Sequence, residues 1–223
     1  MAAVRNPSPT IRFAPASRSD TGSRIIDAAE RLYRQFGYEK TAVADIARAF
    51  SMSPANVYRF FRGKKAISQE VCRRLLEQAV ACGSEIARRN APAEDRLRAV
   101  VRELAHRKSE RLRNDAPLHE LLAAATEESW PAITEHAARL EGILATIVLD
   151  GMNRGEFRAG DAHRAGRCFY AAMLQYLHPA LILDPAGRNL DETVDFCLAA
   201  LRREPPMRLA STKLSSLMLE VPL

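Results

Sequence analysis

The fold is decided by residues 53–61, which read Ser53-Pro54-Ala55-Asn56-Val57-Tyr58-Arg59-Phe60-Phe61. A serine followed by a proline is a typical helix start, because serine caps the first turn and proline suits the first helical position. Val57, Phe60 and Phe61 then repeat at i, i+3 and i+4, which predicts a helix over residues 54–61 with one buried face. The opposite face is small, polar and basic, with Ala55, Asn56, Arg59 and Arg62.

Two helices are predicted before this segment. The first spans residues 22–36, begins near a cap at Thr21 or Ser23, and is ended by the left-handed residue that Gly37 supplies. Its apolar positions are spaced by four, three and four residues, and they are Ile25, Ala29, Leu32 and Phe36. The second begins at Thr41, whose hydroxyl we expect to accept a hydrogen bond from the first turn. Its inner face is Val43, Ile46, Ala47 and Phe50.

Two short helices joined by a tight turn indicate a helix-turn-helix, in which the second helix enters the major groove of DNA. In that groove Asn56 and Arg59 can reach base edges, while the small Ala55 lets the backbone come close. A long helix then opens with Lys64 and Lys65, and its N-terminal dipole favours phosphate. The sequence therefore places base recognition and phosphate binding side by side.

The net charge of the chain lies in its first third. Residues 1–70 carry 12 Lys and Arg against 6 Asp and Glu, whereas residues 71–223 carry 21 of each. An excess confined to one small region is expected of a module that binds a polyanion. A solvated basic face and a flexible N-terminal arm, residues 1–20, would give the same excess. Charge supports the helix-turn-helix without deciding it.

Five pieces of sequence together resemble the DNA-binding domain of the tetracycline-repressor (TetR) family of transcriptional regulators. They are Arg24 to Ala29, Phe36 to Tyr38, Asp45 to Ala47, Ser53 to Phe61 and Gly63 to Ile67. Each is weak alone, but they are specific as a set in this order and spacing. The resemblance implies an all-α protein, with a DNA-binding domain at residues 21–66 and a helical effector-binding and dimerisation domain at residues 67–203. Residues 204–223 form a tail whose structure the pattern does not assign.

The resemblance also implies which side chains face double-stranded DNA. They are Thr41, Ser53, Ala55, Asn56, Tyr58, Arg59 and Lys64. Tyr58 and Lys64 match phosphate contacts common in the family, although an aromatic at position 58 could instead pack between helices. Ala42 and Ala44 stand where the family often has Thr and a basic residue, and Phe60 replaces a frequent His. We therefore expect the second helix to contribute little to operator recognition.

Beyond residue 63 the pattern predicts only helices, since the whole chain has 10 Gly and 12 Pro and no run of alternating β-branched residues. They span residues 64–89, 93–113, 117–128, 130–154, 161–183 and 190–203. The resemblance implies that the last two pair with a second subunit, giving a homodimer that spaces its recognition helices by one DNA turn, roughly 34 Å. Their stripes are Phe169, Ala172, Tyr176 and Ala180, then Val194, Leu198 and Leu201. A single chain could also bury such stripes internally.

The same resemblance implies a small-molecule effector, which releases a repressor from a palindromic operator. Aromatic, His and Met side chains of the C-terminal region are candidate liners of a mostly apolar cavity. The predicted ligand-binding residues are His119, Trp130, His136, Tyr170, Met173 and Tyr176. Each could equally be ordinary core or surface. We expect an effector that is largely apolar or aromatic rather than highly charged, and no cofactor or metal.

We expect a cytoplasmic protein. The most apolar segment, residues 168–183, is interrupted by Gln175, His178 and Pro179, so it is unsuited to span a bilayer. The N-terminal segment lacks the apolar core of a signal peptide. No Cys-x-x-Cys spacing occurs, which favours buried free thiols at Cys72, Cys82, Cys168 and Cys197.

Three other functions are open. Glu103 and His106 form one Glu-x-x-His motif, but a di-iron helical bundle needs two, so we predict no enzymatic activity. A helical adaptor would use the basic face to bind an acidic protein and would be indifferent to DNA. A redox sensor would instead depend on Cys72 or Cys82.

Overall fold

The computed structural model describes residues 18–178 and 189–202, which form nine α-helices. They are α1 (Arg18–Phe36), α2 (Val43–Ala49), α3 (Pro54–Tyr58), α4 (Lys64–Ala87), α5 (Ala93–Asn114), α6 (Ala116–Glu127), α7 (Pro131–Asn153), α8 (Ala162–Leu177) and α9 (Leu190–Leu201). Among the described residues, the only β-structure is one antiparallel bridge between Phe157 and Arg202. The prediction of an all-α fold is confirmed. None of the helices in the described part is both long and apolar enough to cross a membrane.

Helix α1 starts earlier than the sequence pattern predicts and ends where it predicts. It begins at Arg18, so Thr21 and Ser23 lie inside the helix and their prediction as caps was wrong. Gly37 has a φ of +87° and its N–H donates to the Tyr33 carbonyl at 2.9 Å. Glycine adopts this left-handed conformation without steric cost, so it ends α1 and turns the chain towards α2.

The apolar side chains form two separate cores. The first core combines α1, α2, α3, the first half of α4 and α6, and its buried members include Ile25, Tyr33, Ile46, Val57, Ile67, Leu75, Leu118, Leu121 and Leu122. The second core combines the second half of α4 with α5, α7, α8 and α9, and includes Val80, Leu97, Leu104, Leu144, Ile147, Phe169, Met173 and Leu198. Helix α4 therefore belongs to both cores. Helix α6 packs with the N-terminal helices although α5 precedes it in the chain.

Helices α7 and α8 approach each other closely at Gly166. A Cβ atom built there would lie 2.7 Å from the backbone nitrogen of Ala145 and 2.9 Å from its Cα. Both distances are well inside van der Waals contact, which is about 3.5–4.0 Å between carbon atoms. Glycine at this position therefore sets the distance between the two helices.

Helices α8 and α9 bury, inside their own subunit, most of the residues that the dimer prediction assigned to the subunit interface. Val194, Leu198 and Leu201 are buried in the second core of their own subunit, so their assignment to a face between subunits was wrong. Phe169 is also buried there. Helix α8 ends at Leu177, and Ala180, like the predicted arm up to residue 17 and the tail from residue 204, lies outside the described residues.

Candidate nucleic-acid interface

Helix α2 is capped by Asp45 and not by Thr41. The Asp45 carboxylate accepts a hydrogen bond from the N–H of Ala42, at 3.0 Å. Thr41 is only 2% exposed, and its hydroxyl donates to the carbonyl of Gly37 at 2.8 Å. The prediction of Thr41 as a cap was wrong, because that hydroxyl satisfies a carbonyl at the end of α1. The side chain of Thr41 consequently faces the interior and not the proposed DNA surface.

The turn between α2 and α3 and the start of α3 follow from local hydrogen bonds. Ser51 takes a positive φ of 52°, and the next N–H, of Met52, returns to the Ala47 carbonyl at 2.8 Å. Ser53 caps α3 as predicted, its hydroxyl accepting from the N–H of Asn56 at 3.3 Å. These contacts fix the angle at which α3 leaves the turn.

Helix α3 is shorter than the predicted 54–61 but exposes the predicted face. The α-helix ends at Tyr58, and the N–H groups of Phe60 and Phe61 both turn back to the Val57 carbonyl, at 2.9 and 3.0 Å. Val57 is fully buried and holds α3 on the first core. The exposed residues at this helix are Ser53, Ala55, Asn56, Tyr58 and Arg59. The structure therefore brings five of the seven predicted DNA-facing residues onto one surface.

Tyr58 is 55% exposed, which favours the phosphate-contact prediction over packing between helices. Its hydroxyl can donate to a phosphate oxygen, whereas a packing aromatic would be covered by the first core. The adjacent Arg59 and Arg62 are exposed as well, so the end of α3 is cationic. This face has the polarity that a groove and its flanking phosphates require.

Lys64, at the start of α4, is held in place by the segment after α1. Its ammonium group donates to the Glu39 carbonyl at 2.8 Å and lies 5.0 Å from the centre of the Tyr38 ring. Partial burial lowers the pKa of Lys64 from its usual value, while the charge of Glu39 opposes that shift. Gly63 offers no capping side chain to the first amides of α4. An anion can therefore meet both the helix terminus and the lysine.

Lys65 joins the N-terminal end of α4 to the turn between α6 and α7. Its ammonium group is 2.8 Å from the Glu128 carboxylate and 5.9 Å from the centre of the Trp130 ring. The Trp130 indole N–H donates to the same carboxylate at 3.0 Å. No local sequence pattern predicts this junction, since Lys65 lies 63 residues before Glu128 in the chain.

Of the six predicted ligand-binding residues, three lie in or against the second core and one lies in the first core. Tyr170 and Met173 are buried in the second core, and the Tyr176 hydroxyl is 3.1 Å from that of Thr193. Trp130 belongs to the first core. His119, on α6, and His136, on α7, are buried as well. As a group these residues stay a prediction.

A groove of about 650 Å³ lies along the outer side of α8 and α9. It is lined by Met152 at the end of α7, by the loop between α7 and α8, and by residues of α8 and α9, among them Ala165, Cys168, Ala172, Phe196, Cys197 and Ala200. Phe196 is 78% exposed there. No member of the predicted ligand set lines this groove.

The cysteines are free thiols, and they differ in exposure. Cys72 is buried, and that burial raises its pKa to about 12, which disfavours the reactive thiolate. Cys82 is half-buried and its thiol lies 3.7 Å from the Glu103 carboxylate. Cys168 is exposed, so its prediction as a buried thiol was wrong. Within residues 18–178 and 189–202, no three His, Cys, Asp or Glu side chains are grouped to hold a metal ion.

A capped helix presenting Asn and Arg on a cationic surface, carried by a larger helical body, defines a helix-turn-helix DNA-binding protein. Comparison with known families agrees. Residues 25–71 match the family described as bacterial regulatory proteins of the tetR family, and residues 93–196 match the tetracyclin repressor-like C-terminal domain. The chain therefore belongs to the TetR family of transcriptional regulators.

Solved structures share the fold at low sequence identity. A putative TetR-family regulator from Mesorhizobium loti is 21% identical, with a TM-score of 0.65 over 83% of this chain and 98% of its own. A TetR-family regulator from Pectobacterium atrosepticum is 14% identical, with a TM-score of 0.65 over 86% and 100%. The regulator FadR from Bacillus subtilis, solved with stearoyl-CoA, is 21% identical, with a TM-score of 0.53 over 81% and 97%. No curated protein matched in sequence.

Proposed function

We propose that this protein is a homodimeric repressor that binds a palindromic operator through α3 and releases it when a small molecule binds the C-terminal region. The observation that carries the proposal is the exposed face of α3, where Asn56 and Arg59 stand beside Tyr58. Bases are read by amide and guanidinium groups in the major groove, and phosphates are contacted by hydroxyl and ammonium groups. This division assigns base contacts to Asn56 and Arg59 and phosphate contacts to Tyr58 and Lys64.

The groove on α8 and α9 supports dimerisation. An exposed Phe196 next to Ala165, Ala172 and Ala200 combines a large apolar side chain with small residues that let a second helix pair approach. In a monomer the Phe196 ring would stay exposed to water. We place the subunit interface here, and it replaces the stripe of Val194, Leu198 and Leu201 predicted from the sequence.

A small-molecule effector is supported by the bound stearoyl-CoA of the similar structure FadR. Occupancy of the C-terminal helices would act on DNA through α4, which belongs to both cores and begins at the phosphate-contacting Lys64. Two recognition helices joined in a dimer must fit successive grooves, so a small rotation of α4 removes several contacts together. Because the protein acts on the chromosome, we place it in the cytoplasm, and we assign it no enzymatic activity.

Selection of bound sequences from a random duplex pool tests the proposal. We expect a palindromic site whose halves are about one helical turn apart, with affinity that decreases steeply as salt increases. A protein-binding adaptor would recover no sequence. Failure to enrich any duplex at low ionic strength would refute the proposed function.

Substitutions on α3 and at the start of α4 distinguish the base contacts from the phosphate contacts. Asn56→Ala and Arg59→Ala should each lose about 1–3 kcal/mol at particular base pairs and so change the selected sequence. Tyr58→Phe and Lys64→Ala should weaken binding to all duplexes alike. Gel-shift titration against the selected site and its single-base variants measures both effects. Equal losses on every sequence from both pairs would contradict the assignment.

The interface is tested with Phe196→Arg, which places a charge in the groove. We expect the variant to be monomeric by analytical ultracentrifugation at micromolar concentration, with operator affinity reduced at least tenfold. Phe36→Arg is the matched control for the association state, because Phe36 is also an exposed aromatic but lies on α1, and this variant should sediment as the parent protein does. A dimeric Phe196→Arg protein would show that the subunits associate elsewhere.

A further inference from the structure

Half of the net charge of the chain lies ahead of the residues that form the helix-turn-helix. Residues 1–24 contain four arginines and one aspartate, so they hold a net charge of +3, against +6 for the whole chain. The arginines are Arg5, Arg12, Arg18 and Arg24, and the aspartate is Asp20. The DNA contacts proposed for α3 and α4 use none of these arginines.

The start of α1 lies beside the helix-turn-helix. The guanidinium of Arg24 lies 4.4 Å from the centre of the Phe50 ring, and Phe50 directly precedes the turn that leads to α3. Gly22 and Ser23 line a surface cavity together with Phe61, which follows α3. The first turns of α1 therefore lie next to the segments on both sides of the recognition helix. The chain that precedes α1 consequently enters the fold close to the proposed DNA surface.

Positive charge continues from the end of α3 to the start of α1. Arg59 and Arg62 are exposed at the end of α3, and Arg24 is exposed on α1. The Phe50 ring holds the Arg24 guanidinium through a cation–π contact, which orients the group without neutralising its charge. An anionic duplex bound at α3 would therefore meet a cationic surface that extends towards the residues before α1.

The acidic side chains beside the start of α1 already pair with arginines. Glu70 and Glu77 line the cavity at this point, and both form ion pairs with Arg73. Asp27, on α1, forms an ion pair with Arg74. An arginine from the chain before α1 would have to compete with these cations, and surface ion pairs contribute little. Double-stranded DNA, with one charge for about every 1.7 Å of its axis, is the stronger partner.

Residues 1–17 are numerous enough to bring two arginines to the DNA backbone. They include Arg5 and Arg12 and no acidic residue. An extended chain covers up to about 3.5 Å per residue, so Arg12 can reach about 20 Å from Arg18 at the start of α1, and Arg5 can reach farther. Half a turn of DNA is about 17 Å. Both arginines can therefore reach phosphates beyond the groove that α3 occupies.

We propose that residues 1–17 supply a second DNA contact, in which Arg5 and Arg12 bind phosphates beside the groove that α3 reads. The inference rests on the proposed function and adds a contact that is independent of base sequence. Arginine can donate two parallel hydrogen bonds to a phosphate group. Each neutralised phosphate releases a counterion, so the contact weakens as salt increases. In a homodimer the two subunits would bind up to four phosphates in this way.

The test removes both charges in the full-length protein. The double variant Arg5→Ala, Arg12→Ala is compared with the parent protein by gel shift between about 50 and 200 mM salt, on the selected operator and on a scrambled duplex of equal length. Each phosphate contributes about 0.9 to the slope of log affinity against log salt, so the loss of one phosphate per subunit decreases the slope by about 1.8. The affinity lost at 50 mM salt should then be about twelvefold greater than that lost at 200 mM. We expect at least this change, and of similar size on both duplexes.

The double variant Arg88→Ala, Arg89→Ala is the matched control, because it lowers the net charge equally. Both arginines are exposed and lie roughly 35 Å from Lys64 along α4, several times the Debye length of about 10 Å at 0.1 M salt. Its salt slope should equal that of the parent protein.

A decrease in slope smaller than about 1.8, an equal decrease in the control, or a loss confined to the operator would each overturn the inference. If the parent protein binds no duplex, the proposed function fails. If the parent protein binds the operator and the Arg5→Ala, Arg12→Ala variant keeps its salt slope, this inference alone fails.

Discussion

Replacement of Gly166 by alanine measures how tightly α7 and α8 are packed. The new Cβ would lie 2.7 Å from the nitrogen and 2.9 Å from the Cα of Ala145, so the helices must separate by roughly 0.7 Å to reach normal contact. Backbone atoms of α7 cannot rotate away. Overpacking costs about 1–3 kcal/mol, and the upper part of that range, about 2–3 kcal/mol, applies here because the clash is with backbone atoms. Alanine recovers about 1 kcal/mol of helix propensity. We expect a net loss of about 1–2 kcal/mol in the free energy of unfolding.

Urea denaturation, at a protein concentration that keeps the subunits associated, measures this loss. The melting temperature should decrease by roughly 2–8 °C for a chain of this size. Gly142→Ala is the matched control, because Gly142 lies inside α7 with no atom within 4 Å of its added Cβ, and it should stabilise the protein by up to about 1 kcal/mol. Equal stability of the two variants would refute the packing argument. Because Ala165 and Cys168 flank Gly166, the variant should also weaken dimerisation.

Two further predictions concern acid stability and the cap of α3. Burial, and then the positive charges of Arg139 and Arg111, lower the pKa of His136 to about 4, so between about pH 6.5 and 4 the unfolded chain binds more protons than the folded one. The free energy of unfolding should therefore decrease by about 2 kcal/mol from pH 7 to pH 5, and His136→Asn should make that decrease smaller. Urea midpoints at both pH values measure the effect. An equal change in the variant and in the parent protein would contradict the prediction. Ser53→Ala removes the acceptor for the Asn56 N–H, which should cost about 0.5–1 kcal/mol and weaken operator binding, while Ser53→Asn should restore both. Gel shifts and urea midpoints of these two variants check that order.

The sequence predicted the features that depend on neighbouring residues. The end of α1 at Gly37 and the cap of α3 at Ser53 were both correct, because each requires one residue type in one local conformation. Thr41 was assigned wrongly, since its hydroxyl lies within reach of both the end of α1 and the start of α2, and no local rule chooses between them. The start of α2 is capped by Asp45 instead.

Features that depend on distant segments were missed. The stripe of Val194, Leu198 and Leu201 was read as a subunit interface because periodicity reports which face is apolar and not what covers it. The inner positions of Lys108 and Arg111 were visible at helical spacing from Leu104. Their partial burial was not predicted, because basic residues on a helix are ordinarily assigned to the solvent side.

The position of α6 has a consequence for the exchange of modules between related regulators. Leu118, Leu121 and Leu122 are fully buried against the helices that carry the DNA surface, together with the first half of α4. A hybrid joined at the predicted boundary after residue 66 would place these leucines against foreign side chains. A biosensor that combines this operator specificity with another protein's ligand response must therefore transplant α6 and α4 up to Leu76 along with the first 66 residues.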